Sequence, residues 1–206
     1  MAVNTAQAEI GAEFSDPPAD PIGLIRDWFD KAKEHGVREP GAVALATVSA
    51  HGVPSSRMIQ TLDITDRGLV FTSHSTSPKG RDIAATGWGS GVLYWRETNQ
   101  QLILTGQVEL LDTVTADAYW AARPIETQAM SVATKQSEPL ASEADLLAGA
   151  VRLISGGQSL RRPDTWCAYQ LVPTTVEFWQ SSPDRLYRRI RYYRDGAGWT
   201  NVRLQP

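Results

Sequence analysis

The feature that most constrains this chain is its punctuation. Strand-like runs follow one another across very short turns, so the chain cannot be winding through crossover helices between parallel strands. Ala42 to Val48 is apolar, small and β-branched; His51-Gly52 with Pro54 turns it, and Arg57 to Ile64 returns. Asp66-Arg67-Gly68 makes the next turn before Leu69 to Ser73. Gly91 to Arg96 and Gln101 to Leu111 flank Thr98-Asn99. Near the C-terminus, Trp166 to Leu171, Thr175 to Trp179, Leu186 to Arg194 and Trp199 to Leu204 read as strands, with Asp195-Gly196 as a hairpin turn. Connections this short favour antiparallel pairing. The pattern predicts a mainly β, α+β architecture: an antiparallel barrel decorated with peripheral helices.

Two helices stand out. Asp20 as N-cap with Pro21 at the first position opens one, Ile25, Trp28, Phe29 and Ala32 give it a buried face, and Gly36 suits its end. Ser142 and Asp145 form the start of another, with a stripe of Leu147, Ala150, Val151 and Ile154. Residues 1–19 lack periodicity and contain Pro17-Pro18, which predicts a mobile tail before a single domain over 20–206.

Composition narrows the function. The 206 residues carry 20 Lys+Arg against 23 Asp+Glu, a net charge of −3, which weighs against nucleic acid. No apolar run approaches the ~18 residues of a membrane span. One cysteine, Cys167, excludes an internal disulfide and a cysteine-cluster metal site, and His35, His51 and His74 are scattered. With no secretory signal at the N-terminus, a cytoplasmic protein that binds neither metal, membrane nor nucleic acid is the simplest reading.

Two segments suggest anions. Thr72-Ser73-His74-Ser75-Thr76-Ser77-Pro78-Lys79 follows a strand and opens a short helix, with Ser77 as cap. Free N–H groups, hydroxyls and Lys79 suit a phosphate there, and Arg57 on the neighbouring strand could add a bidentate contact. A plain capped helix with a surface lysine is the other reading. The second segment is Arg185-Leu186-Tyr187-Arg188-Arg189-Ile190-Arg191, where strand alternation puts Arg185, Tyr187, Arg189 and Arg191 on one face. That face suits an anionic ligand, a charge-protected edge strand or, less well given the acidic balance, a single-stranded nucleic acid.

At these residues the sequence resembles the pyridoxamine 5′-phosphate oxidase family. The resemblance runs from about Asp20 to Pro206, on the Arg57 strand, Ser77-Pro78-Lys79, Lys135-Gln136-Ser137, Glu177-Phe178-Trp179, Arg185-Leu186 with Arg189, and Arg203-Leu204-Gln205-Pro206. Leu93-Tyr94-Trp95-Arg96-Glu97-Thr98-Asn99-Gln100-Gln101 carries a closer likeness to the flavin oxidases of phenazine biosynthesis. The resemblance implies an FMN-binding split β-barrel of Greek-key type, assembled as a homodimer with FMN between the subunits. It implies that Arg57 and Lys79, with Ser77, hold the FMN phosphate. Met58, Ile59, Gln60, Thr72 and Ser73 would line the cofactor and Gln101 would touch the flavin. Gln136 and Ser137 would come from the facing subunit, and Trp179 and Arg189 would close the pocket.

Departures from the family bear on the substrate. A lysine that holds the vitamin's phosphate is replaced by Leu62, and a serine of the same site by Thr127, while Tyr119 and Arg123 match. The histidine after Arg-Leu is Tyr187, and a basic residue before Lys79 is Pro78. A pocket that has lost phosphate-binding charge suits a flat carboxylated aromatic, with Arg123 and Arg185 pairing to carboxylates and Tyr119 and Tyr187 stacking or hydrogen-bonding. The expectation is an oxidase of a reduced phenazine carboxylate, in which hydride leaves for the flavin and O2 becomes H2O2, with no certain general base and with Arg185 and Tyr187 as positioning groups. A pyridoxamine 5′-phosphate oxidase and a non-catalytic flavin-binding protein are the alternatives.

Overall fold

The computed structural model describes residues 11–157 and 159–206. Its strands, among the described residues, are β1 (Ala42–Val48), β2 (Pro54–Gln60), β3 (Asp63–Thr65), β4 (Gly68–His74), β5 (Trp88–Trp95), β6 (Gln100–Leu110), β7 (Trp166–Gln180), β8 (Arg188–Asp195) and β9 (Gly198–Arg203). Its helices are α1 (Pro21–Glu34), α2 (Pro78–Thr86), α3 (Thr113–Ala121), α4 (Ile125–Ala133) and α5 (Glu143–Ser155). Every paired ladder is antiparallel, as the short turns require. The sheet runs β2-β1-β5-β6-β7-β4-β3, with β8 on β7 and β9 on β8. It is open: β2 and β3, consecutive in sequence, are separate edges rather than a closing pair. No helix among the described residues is long and apolar enough to cross a membrane.

β7 spans both segments that read as separate strands. Its first half, Trp166 to Leu171, pairs with β4, and its second, Thr175 to Gln180, pairs with β8, while β6 runs along both. Pro173 lies between the halves, where a proline cannot donate to a ladder. The register shifts opposite Thr105 and Gly106 of β6, because β7 carries one extra residue, Thr174, beside the proline. The backbones approach so closely there that a Cβ at Gly106 would collide with the Val172 carbonyl oxygen.

The Asp20 side chain accepts from Ile22 N at 3.0 Å, capping α1 as expected. Ile25, Trp28 and Ala32 are fully buried against the sheet. Trp28 packs edge-on to Phe178 at 5.0 Å and to Phe14 at 6.0 Å. Phe14 corrects the mobile-tail reading for residues 11–19. It is buried, Trp28 Nε1 donates to Glu13 Oε1, and Tyr192 OH donates to Pro18 O at 3.0 Å. One anchored aromatic needs no periodicity, so the hydrophobic pattern does not show it. Residues 1–10 lie outside the described residues.

Two further expectations change. On α5 only Ala150 of the expected stripe is buried, while Leu147 and Val151 are exposed. β8 begins at Arg188, so Arg185 and Tyr187 do not share its arginine face; Arg185 sits in a turn with φ +58.

Candidate functional site

The loop after β4 behaves as its sequence implies. Ser77 caps α2 by accepting from Gly80 N, Pro78 takes the first helical position, and Lys79 then turns inward. Lys79 is only 7% exposed, and its Nζ donates to Ser73 Oγ at 3.0 Å, Gln136 Oε1 at 3.3 Å and Ser77 Oγ at 3.5 Å. All three acceptors are neutral, and Lys79 forms no ion pair among the described residues. Burial, and then the charge of Arg57, pushes its pKa below the usual lysine value. A buried ammonium without a counterion is costly unless an anion completes the site.

Arg57 and Arg123 repeat the pattern. Arg57 Nη1 donates to Thr47 Oγ1 at 2.8 Å and Leu45 O at 3.2 Å, and Nη2 donates to Ser55 Oγ at 2.6 Å. Arg123 lies over the rings of Trp166 and Trp120, at 5.1 and 5.6 Å. Burial lowers the pKa of both, and neither ion-pairs with a carboxylate among the described residues. The three cations line one cleft of about 480 Å³. Met58, Ile59, Gln60 and Leu62 from the β2 edge, Thr72 from β4, and Gln136 and Ser137 after α4 complete it. Each of these lining residues is one that the sequence singles out.

Around the cleft, Ser73 and Ser77 support Lys79 from below. Tyr119 OH donates to Asp63 Oδ2 at 3.3 Å, and burial followed by Asp63 raises its pKa. Thr127 Oγ1 donates to Pro124 O at 2.8 Å in the first turn of α4, on an exposed position. Gln136 and Ser137 require a correction. They belong to the cleft of their own chain, because Gln136 Oε1 accepts from Ser73 Oγ and Lys79 Nζ within it. Thr134 takes extended backbone and Ser137 a left-handed φ of +70, which turns the chain back over the α2 N-terminus.

The remaining expected residues form a second group that does not line this cleft. Gln101 pairs with Trp179 across β6 and β7, and Trp179 pairs with Arg189 across β7 and β8. Tyr187 lies against Trp179 with ring centroids 5.2 Å apart, and Arg185 precedes it. Arg189 and Arg191 both grip the buried Glu177: each uses Nε and Nη2, one guanidinium on each carboxylate oxygen, at 2.6–2.9 Å. Sequence reasoning gave no role to Glu177, Asp63 or Asp82, since their partners are distant in sequence.

Residues 29–155 match the family profile of pyridoxamine 5′-phosphate oxidase, and residues 166–206 match the pyridoxine 5′-phosphate oxidase C-terminal dimerisation region. The chain belongs to the pyridoxamine 5′-phosphate oxidase family. Within it, the chain is 46% identical over 194 residues to the dihydrophenazinedicarboxylate synthase of Burkholderia lata, covering 94% of this chain and 92% of that one. It is 38% identical over 193 residues to the pyridoxine/pyridoxamine 5′-phosphate oxidase of Thermosynechococcus vestitus, covering 93% and 92%. Its fold superimposes on the crystal structure of PhzG from Burkholderia lata 383 in complex with tetrahydrophenazine-1-carboxylic acid with a TM-score of 0.94, at 46% identity, covering 96% of this chain and 98% of that one. Among these pyridoxamine 5′-phosphate oxidase relatives, the phenazine branch has the higher identity.

Proposed function

We propose that this chain is an FMN-dependent oxidase that takes two electrons from a reduced tricyclic phenazine carboxylate and passes them to O2, giving the dehydrogenated product and H2O2. The observation that carries this reading is the cleft with three cations, Arg57, Lys79 and Arg123, that have no carboxylate partner among the described residues. Arg57 and Lys79 lie together by the α2 N-terminus, a setting that fits a phosphate dianion. Arg123, backed by two indole rings, lines the same cleft and is suited to a substrate carboxylate. In that cleft Met58, Ile59 and Gln60 offer an edge for a flat ring system.

When bound, FMN supplies the two-electron acceptor that O2 regenerates. The chain supplies alignment. Arg57, Lys79 and Ser77 hold the phosphate; Gln60, Thr72, Ser73, Gln136 and Ser137 fix the remainder. Leu62 removes a cation from the substrate end, and Tyr119, Arg123 and Thr127 hold the substrate there. Gln101, Trp179, Arg189, Arg185 and Tyr187 form a ready second wall, but on the far part of the sheet. In a homodimer built through the C-terminal region they would face the partner's cleft, so each site would draw on two subunits. No side chain in this set is needed as a strong base, because aromatisation of the product drives the loss of hydrogen. The unpaired Cys167 suits a reducing, cytoplasmic compartment.

Oxygen uptake by the FMN-loaded protein tests the proposal, with a reduced phenazine carboxylate and with pyridoxine 5′-phosphate as competing substrates. Faster turnover of the phenazine is expected. Preference for the vitamin makes the chain a pyridoxamine 5′-phosphate oxidase, and uptake with neither makes it a flavin-binding protein.

A further inference from the structure

The phosphate end of the cleft holds an arrangement that the family resemblance does not assign. Arg57 forms no ion pair with a carboxylate among the described residues. Its two terminal nitrogens instead donate to the hydroxyls of Thr47 and Ser55, at 2.8 and 2.6 Å. Both hydroxyls donate onward to one oxygen, Asp82 Oδ2, at 2.7 Å from Thr47 and 3.3 Å from Ser55. We propose that Asp82 is a positioning residue for Arg57, acting through Thr47 and Ser55 to pre-orient the guanidinium for the FMN phosphate. This rests on the FMN reading above.

A serine or threonine hydroxyl has one proton and two lone pairs, and it serves an N–H donor well only if its own proton points elsewhere. An ionised carboxylate is acceptor-only, so Asp82 demands both protons. The lone pairs of Thr47 and Ser55 then face Arg57. Without an acceptor at position 82 the two rotors are free, and the guanidinium loses two fixed points. Thr47 is fully buried, and within the fold its hydroxyl proton goes to Asp82.

The indirect route also preserves charge. A carboxylate in direct contact would neutralise Arg57 and compete with a phosphate for the same N–H groups. Set behind two hydroxyls, Asp82 leaves the guanidinium free to meet an anion while still opposing the loss of its proton on burial. The placement adds register. Asp82 lies on α2, one turn after Lys79, so a single helix fixes both cations of the phosphate end. Arg57 comes from β2, an edge strand that, among the described residues, β1 alone holds by ladder pairing; through Asp82 it is tied to the helix as well.

A structural bond between β1 and α2 would also use Thr47 and Asp82, and the two roles separate by ligand. FMN carries the phosphate that Arg57 meets, and riboflavin does not. The test strips the flavin from the full-length wild-type protein and from the Asp82→Ala, Asp82→Asn and Thr47→Val variants, then titrates each with FMN and with riboflavin by fluorescence quenching. Asp82→Ala should weaken FMN binding roughly tenfold or more and leave riboflavin affinity within about twofold. Thr47→Val keeps the shape of the side chain and should show the same selective loss, and the double variant should lose little beyond either single one. Asp82→Asn retains one acceptor oxygen and should fall between. Equal losses for both ligands, or an unchanged ratio of the two affinities in Asp82→Ala and Thr47→Val, overturns the positioning role while leaving the FMN reading intact. A wild-type protein that takes up no FMN removes that reading and this one with it.

Discussion

Lys79 Nζ lies 3.3 Å from Gln136 Oε1, a bond made within one chain across 57 positions of sequence. An amide oxygen orients an ammonium without neutralising it, so the site keeps its charge for a ligand. Lys79→Met should therefore do two opposite things. FMN affinity should fall at least tenfold, since a charge-assisted contact is worth ~1.5–3 kcal/mol. The flavin-free protein should become more stable, by on the order of 1 kcal/mol, because a buried cation without a counterion is removed. The sign follows from the lowered pKa. Below that pKa Lys79 is charged in both the folded and unfolded chain and disfavours the fold; as pH rises through it toward 10.5 the penalty is lost. The advantage of Lys79→Met should thus shrink at alkaline pH, which thermal unfolding of flavin-free protein at neutral and alkaline pH can check.

Leu62 lies at the rim of the cleft that holds Arg57, Lys79 and Arg123. A leucine there cannot pair with a phosphate. Leu62→Lys should raise kcat/KM for pyridoxine 5′-phosphate relative to a reduced phenazine carboxylate by about ten- to a hundredfold, the range of one charge-assisted contact. Parallel steady-state assays of wild type and variant give the ratio, and an unchanged ratio would remove Leu62 from the set that determines the substrate.

Glu177 offers a contrast in energetics. Its side chain is 5% exposed and is held by two arginines that are 27% and 37% exposed. Glu177→Gln leaves two guanidiniums over a neutral amide and should cost about 2–3 kcal/mol, below the 3–5 kcal/mol of a fully buried pair because water reaches the arginines. Glu109 also binds a guanidinium through both oxygens, but Arg67 and Glu109 are 57% and 42% exposed. Glu109→Gln should cost under ~1 kcal/mol. Urea midpoints at constant m-value measure both.

The parts of this molecule legible in its sequence are those whose physics is local. Asp195-Gly196 specifies a hairpin because Gly196 must take a φ of +56, and Ser77-Pro78 specifies a helix start because cap and first position are adjacent. Arg57, Lys79 and Gln136 are legible as a set only through resemblance, since the fold unites them from a strand, a helix and a loop. Pro173 reads as a break between two strands because a proline cannot donate to a ladder, yet a bulge at the neighbouring Thr174 lets β7 run on past it. Phe14 reads as tail because its burial is decided by Trp28, on a helix whose own pattern is complete without it. The assignment of Gln136 to the facing subunit fails for the same reason. Which chain a loop returns to is set by tertiary structure, here the turn at Ser137.

His74 closes the same loop and titrates with a sign that can be tested. Its Nδ1 lies 3.0 Å from Thr165 Oγ1, while its buried Nε2 has no partner among the described residues. Burial lowers its pKa below 6.5, and the charges of Arg123 and Lys79 lower it further. As pH falls through 6.5 the unfolded chain takes up a proton before the folded one does, so stability is lost between 6.5 and the lowered value. Above 6.5 both states are neutral there and the contribution vanishes. Flavin-free wild type should therefore lose more melting temperature between pH 7.5 and about 5 than His74→Asn, which cannot titrate. Bound FMN should make the wild-type loss shallower, because a phosphate opposes the fields of Lys79 and Arg123, though not the burial. Equal losses in wild type and His74→Asn would mean that His74 is solvated and protonates freely in the folded chain.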